Sequence, residues 1–182
     1  MIRYGDEDVF VLQRDWLRVP QRLPYRKTYR LKPGEEWHNA EVTIDQWEHY
    51  VQSAEGPLPI GAVIARELIS DGATSAAFTD CGGTSRVLLG PEPVCVAKEG
   101  EMAILLERLR AANGHRWAGL PDVIAFGADG KVVMREAKVA GKDRLSKTQH
   151  AFGRGARSVL GERLDLAVVE WGKETASGEP CH

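Results

Sequence analysis

Hydrophobic and polar positions are most regular in the second half of the chain. Residues 131–139 predict a β-strand whose alternation sorts it into two faces. Val132, Met134, Glu136 and Lys138 share one face, and Val133, Arg135, Ala137 and Val139 share the other. Residues 122–126 predict a preceding strand, and Gly127-Ala128-Asp129-Gly130 a turn, so the two read as a hairpin. Upstream, Met102, Leu105, Leu106 and Leu109 form one apolar face and predict a helix over 101–112, ended by Gly114. Downstream, 149–160 predicts a helix despite Gly153 and Gly155, and 165–171 a third strand through Leu166, Val168 and Val169. Helix, strand, strand, helix, strand implies an α/β fold, a sheet flanked by helices.

The first half is less regular. Residues 9–12 are a short apolar run and predict a strand. Thr43 with Gln46 is a capping-box pattern that would open a helix over 44–54, stopped by Gly56 and Pro57. Ile60, Val63, Ile64 and Leu68 have helical spacing, with Gly72 as the stop. Residues 72–85 read as loop or weak strands, and 86–89 and 94–97 as short strands. The expected organisation is an N-terminal α+β extension of mixed structure over 1–95, a core domain over 96–172 and a polar, frayed tail over 173–182.

Composition narrows the class. With 43% hydrophobic and 27% charged residues, the 182-residue chain is expected to bury a core. A net charge of -2 names no partner, so local charge has to be read instead. Cys81, Cys95 and Cys181 offer no C-x-x-C pair and an odd count, which argues against a disulfide framework or a four-cysteine zinc site. His38, His49, His115, His150 and His182 form no H-x-x-x-H pattern, and no nucleophile elbow or P-loop occurs. The N-terminus is acidic without an apolar h-region, and no apolar run approaches about 18 residues, so the expectation is a soluble, cytoplasmic protein without a membrane partner.

The unusual feature is chemical. Burying a charge costs several kcal/mol unless it is paired or binds a metal. Glu136 and Lys138 therefore need a reason to share one face of so apolar a strand. Asp122 adds a second carboxylate. A two-residue turn centred on Ala128-Asp129 would set Asp122 opposite Arg135, one position from Glu136, so that a bulge or another turn register is needed to bring the carboxylates together. Paired carboxylates repel unless a cation lies between them, and Mg²⁺ takes one or two carboxylates with water and phosphate. Two carboxylates, a cation and a lysine are the parts that phosphodiester hydrolysis requires.

Gly119-Leu120-Pro121-Asp122, Glu136-Ala137-Lys138, Asp143-Arg144-Leu145-Ser146 and Gln149 together resemble the PD-(D/E)XK nuclease superfamily, and more narrowly its VRR-NUC group, over about residues 98–172. The resemblance implies a restriction-endonuclease-like mixed sheet, Mg²⁺ or Mn²⁺ dependence and cleavage of DNA. It implies that Asp122 and Glu136 bind metal, that Lys138 serves the attacking water and that Gln149 completes the motif. It also implies a glutamate on the preceding helix, for which Glu101 is the best match and Glu99 and Glu107 are rivals. Ala137 departs from the apolar β-branched residue usual in the group.

Charge around the motif fits a polyanion. Between 138 and 163 seven basic residues face two acidic ones, and Lys142, Arg144, Lys147, Arg154 and Arg157 are candidate DNA contacts, against the plainer reading of a solvated helix face. Gly153 and Gly155 either let phosphate approach the backbone or break the helix. The basic segment 14–32, with Trp16, Tyr25 and Tyr29 interleaved, is either a second nucleic-acid surface or a ribbon with its aromatics turned inward. The expected protein is thus a metal-dependent endonuclease, structure-specific in one version and a homodimer so as to cut both strands. The alternative is a nucleic-acid-binding or assembly protein of the same fold with little catalysis, whose DNA affinity would be indifferent to loss of Glu136.

Overall fold

The computed structural model describes residues 1–18, 24–29, 38–43, 50–53, 56–79, 86–89, 94–95 and 101–172. The helices predicted from spacing are present: α1 (Ile60–Ser70), α2 (Glu101–Ala112) and α3 (Lys147–Leu160). The strands are β1 (Ile2–Tyr4), β2 (Glu7–Gln13), β3 (Pro24–Tyr29), β4 (His38–Thr43), β5 (Tyr50–Ser53), β6 (Gly56–Pro59), β7 (Ser75–Thr79), β8 (Arg86–Leu89), β9 (Val94–Cys95), β10 (Val123–Phe126), β11 (Val132–Val139) and β12 (Leu164–Trp171).

The main sheet is mixed and runs β1-β2-β12-β11-β10-β7-β8-β9. β12 is parallel to both β11 and β2, and the other pairings are antiparallel. A parallel step between β11 and β12 needs a crossover, and α3 is that crossover. Residues 1–95 supply five of the eight strands, β1, β2, β7, β8 and β9, so the sheet runs across the expected boundary at 95.

The alternation along β11 is the reason the sheet is covered on both sides. Val132 and Met134 pack with Ile124, Leu166 and Val168 under α2 (Met102, Leu105, Leu106, Leu109) and α3 (Phe152, Ala156, Leu160). Val133 and Val139 pack with Val123, Ala125 and Trp171 under α1 (Ile60, Ile64, Ala65). Arg135 is 8% exposed on the α1 side, and its charge is met by both carboxylate oxygens of Asp165 at 3.1 and 3.0 Å.

One expectation changes, and in two places the structure shows one of the forms the sequence left open. Residues 50–53, placed in a helix over 44–54, are a strand paired with β6; the β-branched and aromatic character of Tyr50-Val51 and the turn at Gly56 (φ +105) win over the Thr43/Gln46 cap. Residues 44–49 and 54 of that expected helix lie outside the described residues, as does the tail 173–182. Residues 75–79, read as loop or weak strand, form β7 inside the sheet, where Ala76, Ala77 and Phe78 are buried between β10 and β8. Within the basic segment, 24–29 pairs with 38–43 as an antiparallel ribbon, and Trp16 packs against the core below the Arg14 guanidinium.

Candidate active site

The hairpin register decides whether the carboxylates meet. The turn spans three residues, not two: the Gly127 N–H donates to Lys131 O at 2.9 Å, and the Gly130 N–H donates to Gly127 O at 3.0 Å. Gly130 takes φ +79, the left-handed position that closes such a loop. Val123 consequently pairs with Arg135, and continuing that register one step sets Asp122 across from Glu136. No bulge is needed. The expected offset of one residue arose from centring the turn on Ala128-Asp129, which sets Gly127 opposite Gly130, whereas Gly127 is bonded to Lys131.

Asp122 sits in the bend before β10, half-buried, and its Oδ2 accepts the Ala137 N–H at 2.7 Å. That bond anchors one carboxylate oxygen to the backbone between Glu136 and Lys138. Glu136 is 2% exposed. Its Oε1 meets the Lys138 ammonium at 2.9 Å and also accepts from the Gln149 amide. Its Oε2 is buried and finds no hydrogen-bond partner among the described residues. Burial first, and the neighbouring Asp122 charge second, hold the Glu136 carboxyl well above the usual carboxylate range, against the opposing pull of Lys138.

Gln149 reaches this point because of how α3 begins. Ser146 is the N-cap, its hydroxyl accepting the Gln149 N–H at 3.2 Å, while Gln149 Oε1 accepts the Ser146 N–H at 2.7 Å. This capping box occupies the Gln149 carbonyl and turns its amide toward Glu136. The Ser146-x-x-Gln149 spacing is the sequence signal for it and places the helix start at 147, not 149. Gly119 sets the distance: at φ +83 it lies so close to α3 that a Cβ there would fall 2.1 Å from Thr148 O. Asp143, also in the motif, closes the turn after β11 by accepting the Val139 N–H at 3.1 Å.

The other candidates are placed differently. Glu101 is exposed at the start of α2, Glu107 is exposed and paired with Arg110, and Glu99 lies outside the described residues. Among the described residues no cluster of three His, Cys, Asp or Glu suited to a metal forms, so Glu101 is not gathered with Asp122 and Glu136. Lys142, Arg144 and Lys147 are exposed around the approach to α3. Arg154 is exposed and 3.8 Å from Asp6. Arg157, expected on a DNA surface, is committed within the protein: it pairs with Glu7 and donates to Gly161 O and Leu164 O. Gly153 and Gly155 neither break α3 nor face an open approach for phosphate. A Cβ at Gly153 would meet the Tyr4 ring, and one at Gly155 would meet the backbone of Ala112.

The donor set fits a divalent cation of the Mg²⁺ or Mn²⁺ type. Two carboxylates face each other, one carries an unpaired buried oxygen, and such ions accept one or two carboxylates with the rest of the shell as water. No protein-family model matches the chain, and comparison with curated proteins and with solved structures finds no significant match.

Proposed function

We propose that the protein is a divalent-metal-dependent endonuclease that hydrolyses DNA phosphodiester bonds, of the PD-(D/E)XK kind and its VRR-NUC group. The observation that carries this reading is the convergence of Asp122, Glu136, Lys138 and Gln149 on one point of the sheet, with Glu136 Oε2 buried there and unpaired. Asp122 and Glu136 would hold the metal. When bound, Mg²⁺ or Mn²⁺ supplies a water deprotonated near neutral pH and positive charge for the phosphoryl oxygens.

The protein's own groups do the remaining work. The Ala137 N–H holds Asp122 Oδ2 and so fixes the orientation of that carboxylate. Gln149 and Lys138 occupy Glu136 Oε1, so Oε2 is the free donor atom. Lys138, with its side chain 14% exposed, favours the ionised form of Glu136 against the burial that opposes it, and offers an ammonium proton to orient the attacking water or to neutralise a phosphate oxygen. The N-terminus of α3 lies beside the carboxylates, and the positive end of its dipole favours an anion. Arg144 and Lys147 stand at that end, where a phosphate backbone would gain from them. Cutting both strands requires two such sites, which a homodimer would provide.

The test compares wild type with Asp122→Asn and Lys138→Met on plasmid and branched DNA, with Mg²⁺ or Mn²⁺ and with chelator, after circular dichroism establishes that all are folded. Metal-dependent cleavage abolished in both variants is expected. Equal cleavage by all three proteins refutes the assignment.

A further inference from the structure

β1 ends on Tyr4, which is 1% exposed and packs in the core between the sheet and α3. Two contacts hold its ring in place. A Cβ at Gly153 of α3 would lie 2.4 Å from Tyr4 Cδ1, so only glycine lets the ring approach this closely. The following residue, Gly5 at φ +66, donates its N–H to His150 Nδ1 at 3.1 Å, and the His150 ring lies 6.2 Å from that of Tyr4. His150 follows Gln149 on α3, so one helix turn both contacts Glu136 and seats Tyr4.

The packing would suit phenylalanine equally well, and the hydroxyl therefore needs its own reason. Tyr4 Oη is buried and has no hydrogen-bond partner among the described residues. Among the described residues only one other buried side-chain atom is in that condition, Glu136 Oε2. The two belong to one neighbourhood: consecutive residues of α3 reach both, Gln149 bonding Glu136 and His150 bonding the Gly5 N–H next to Tyr4, and Tyr4 packs in the same core cluster as Met134 on the Glu136 face of β11. Buried polar atoms are paired as a rule, and a ligand oxygen shared between them satisfies both at once.

We propose that Tyr4 is a positioning residue of this site, its hydroxyl donating a hydrogen bond to a water that is seated beside Glu136 Oε2 and belongs to the coordination shell of the divalent ion. The inference rests on the metal-site reading above. It adds a residue from the far N-terminus to a site otherwise built from residues 122–149. Burial and the two carboxylates push the phenol pKa up, so the hydroxyl remains a donor throughout the neutral range.

The experiment is Mn²⁺ titration calorimetry on full-length wild type, Tyr4→Phe and Glu136→Gln, with thermal unfolding of each metal-free protein alongside. Partners of this outer kind alter metal affinity by about 10–100-fold. Tyr4→Phe is expected to bind Mn²⁺ at least about tenfold more weakly, without a lower metal-free Tm, because an uncompensated hydroxyl has been removed. Gly153→Ala is a second variant: it keeps the hydroxyl but displaces the ring, and its loss of affinity should not add to that of Tyr4→Phe. If wild type binds Mn²⁺ through Glu136 and Tyr4→Phe binds it equally well, the Tyr4 inference is overturned and the metal site stands. If wild type binds no Mn²⁺, the metal reading and the Tyr4 inference both fall.

Discussion

Gly119 offers the sharpest test of how the site is assembled. At φ +83 an alanine would enter the left-handed region, at a cost of roughly 1–2 kcal/mol. Its Cβ would also lie 2.1 Å from Thr148 O, 2.4 Å from Thr148 C and 2.7 Å from the Gln149 nitrogen. All three are backbone atoms, so relief requires α3 to shift at its first turn, and forced overpacking of this sort costs roughly 1–3 kcal/mol. The stiffer unfolded chain returns about 0.4–1 kcal/mol. Gly119→Ala should therefore destabilise by roughly 1–5 kcal/mol, a large share of the ~5–15 kcal/mol of an ordinary domain. Gly130→Ala is the control: its φ is +79, but nothing lies within 4 Å of the added Cβ, so only the conformational cost applies. Urea unfolding followed by circular dichroism measures both. The difference between the variants isolates the collision with α3, and Mn²⁺ affinity reports whether Gln149 has moved off Glu136. Costs that agree within about 0.5 kcal/mol would show that Gly119 is not wedged against α3, and the account of how Gln149 is positioned would fail.

Three further outcomes follow from the same geometry. Gln149→Ala removes both the capping-box return and the amide bond to Glu136, so it should cost about 1 kcal/mol in urea unfolding and about tenfold in Mn²⁺ affinity; an unchanged affinity would remove Gln149 from the site. In the metal-free protein the raised Glu136 pKa means the folded state holds that proton more tightly than the unfolded chain, whose value is 4.5. Its stabilising contribution is complete below that value and is lost as pH rises through the folded one, so the Tm of wild type should fall with pH across that window and that of Glu136→Gln should fall less. Replacing Arg144 and Lys147 by alanine should lower the slope of log affinity for duplex DNA against log salt by about 1 for each phosphate no longer neutralised, whereas Arg157→Ala, which breaks the Glu7 pair, should lower stability and leave the slope unchanged.

Much of the fold and part of the site can be read from the residues alone, and the division between them is physical. Local pattern decided α1, α2 and α3, each of which buries one face that the spacing of its apolar residues records, and β10, β11 and β12, whose short apolar runs are covered on both faces. The same alternation put Glu136 and Lys138 on a common face. Short strands without such a record, β1, β5 and β7, were decided by their neighbours: Tyr50-Val51 pairs because β6 follows it, and Ser75–Thr79 because β10 and β8 lie on either side. Whether Asp122 meets Glu136 depended on the hairpin loop being three residues long and not two, with Gly130 at φ +79 inside it, which moves the whole register by one residue. Arg157 looked like a surface cation because charge counting cannot see Glu7, 150 residues away. Tyr4 could not be singled out for the same reason. Its significance is set by Gly153, His150 and Glu136, which only the closed sheet brings beside the first strand. The chain's own order thus determined which chemical groups were available and on which faces; tertiary contact alone decided which of them are pinned, which are already paired, and which buried oxygens among the described residues are left without a hydrogen bond.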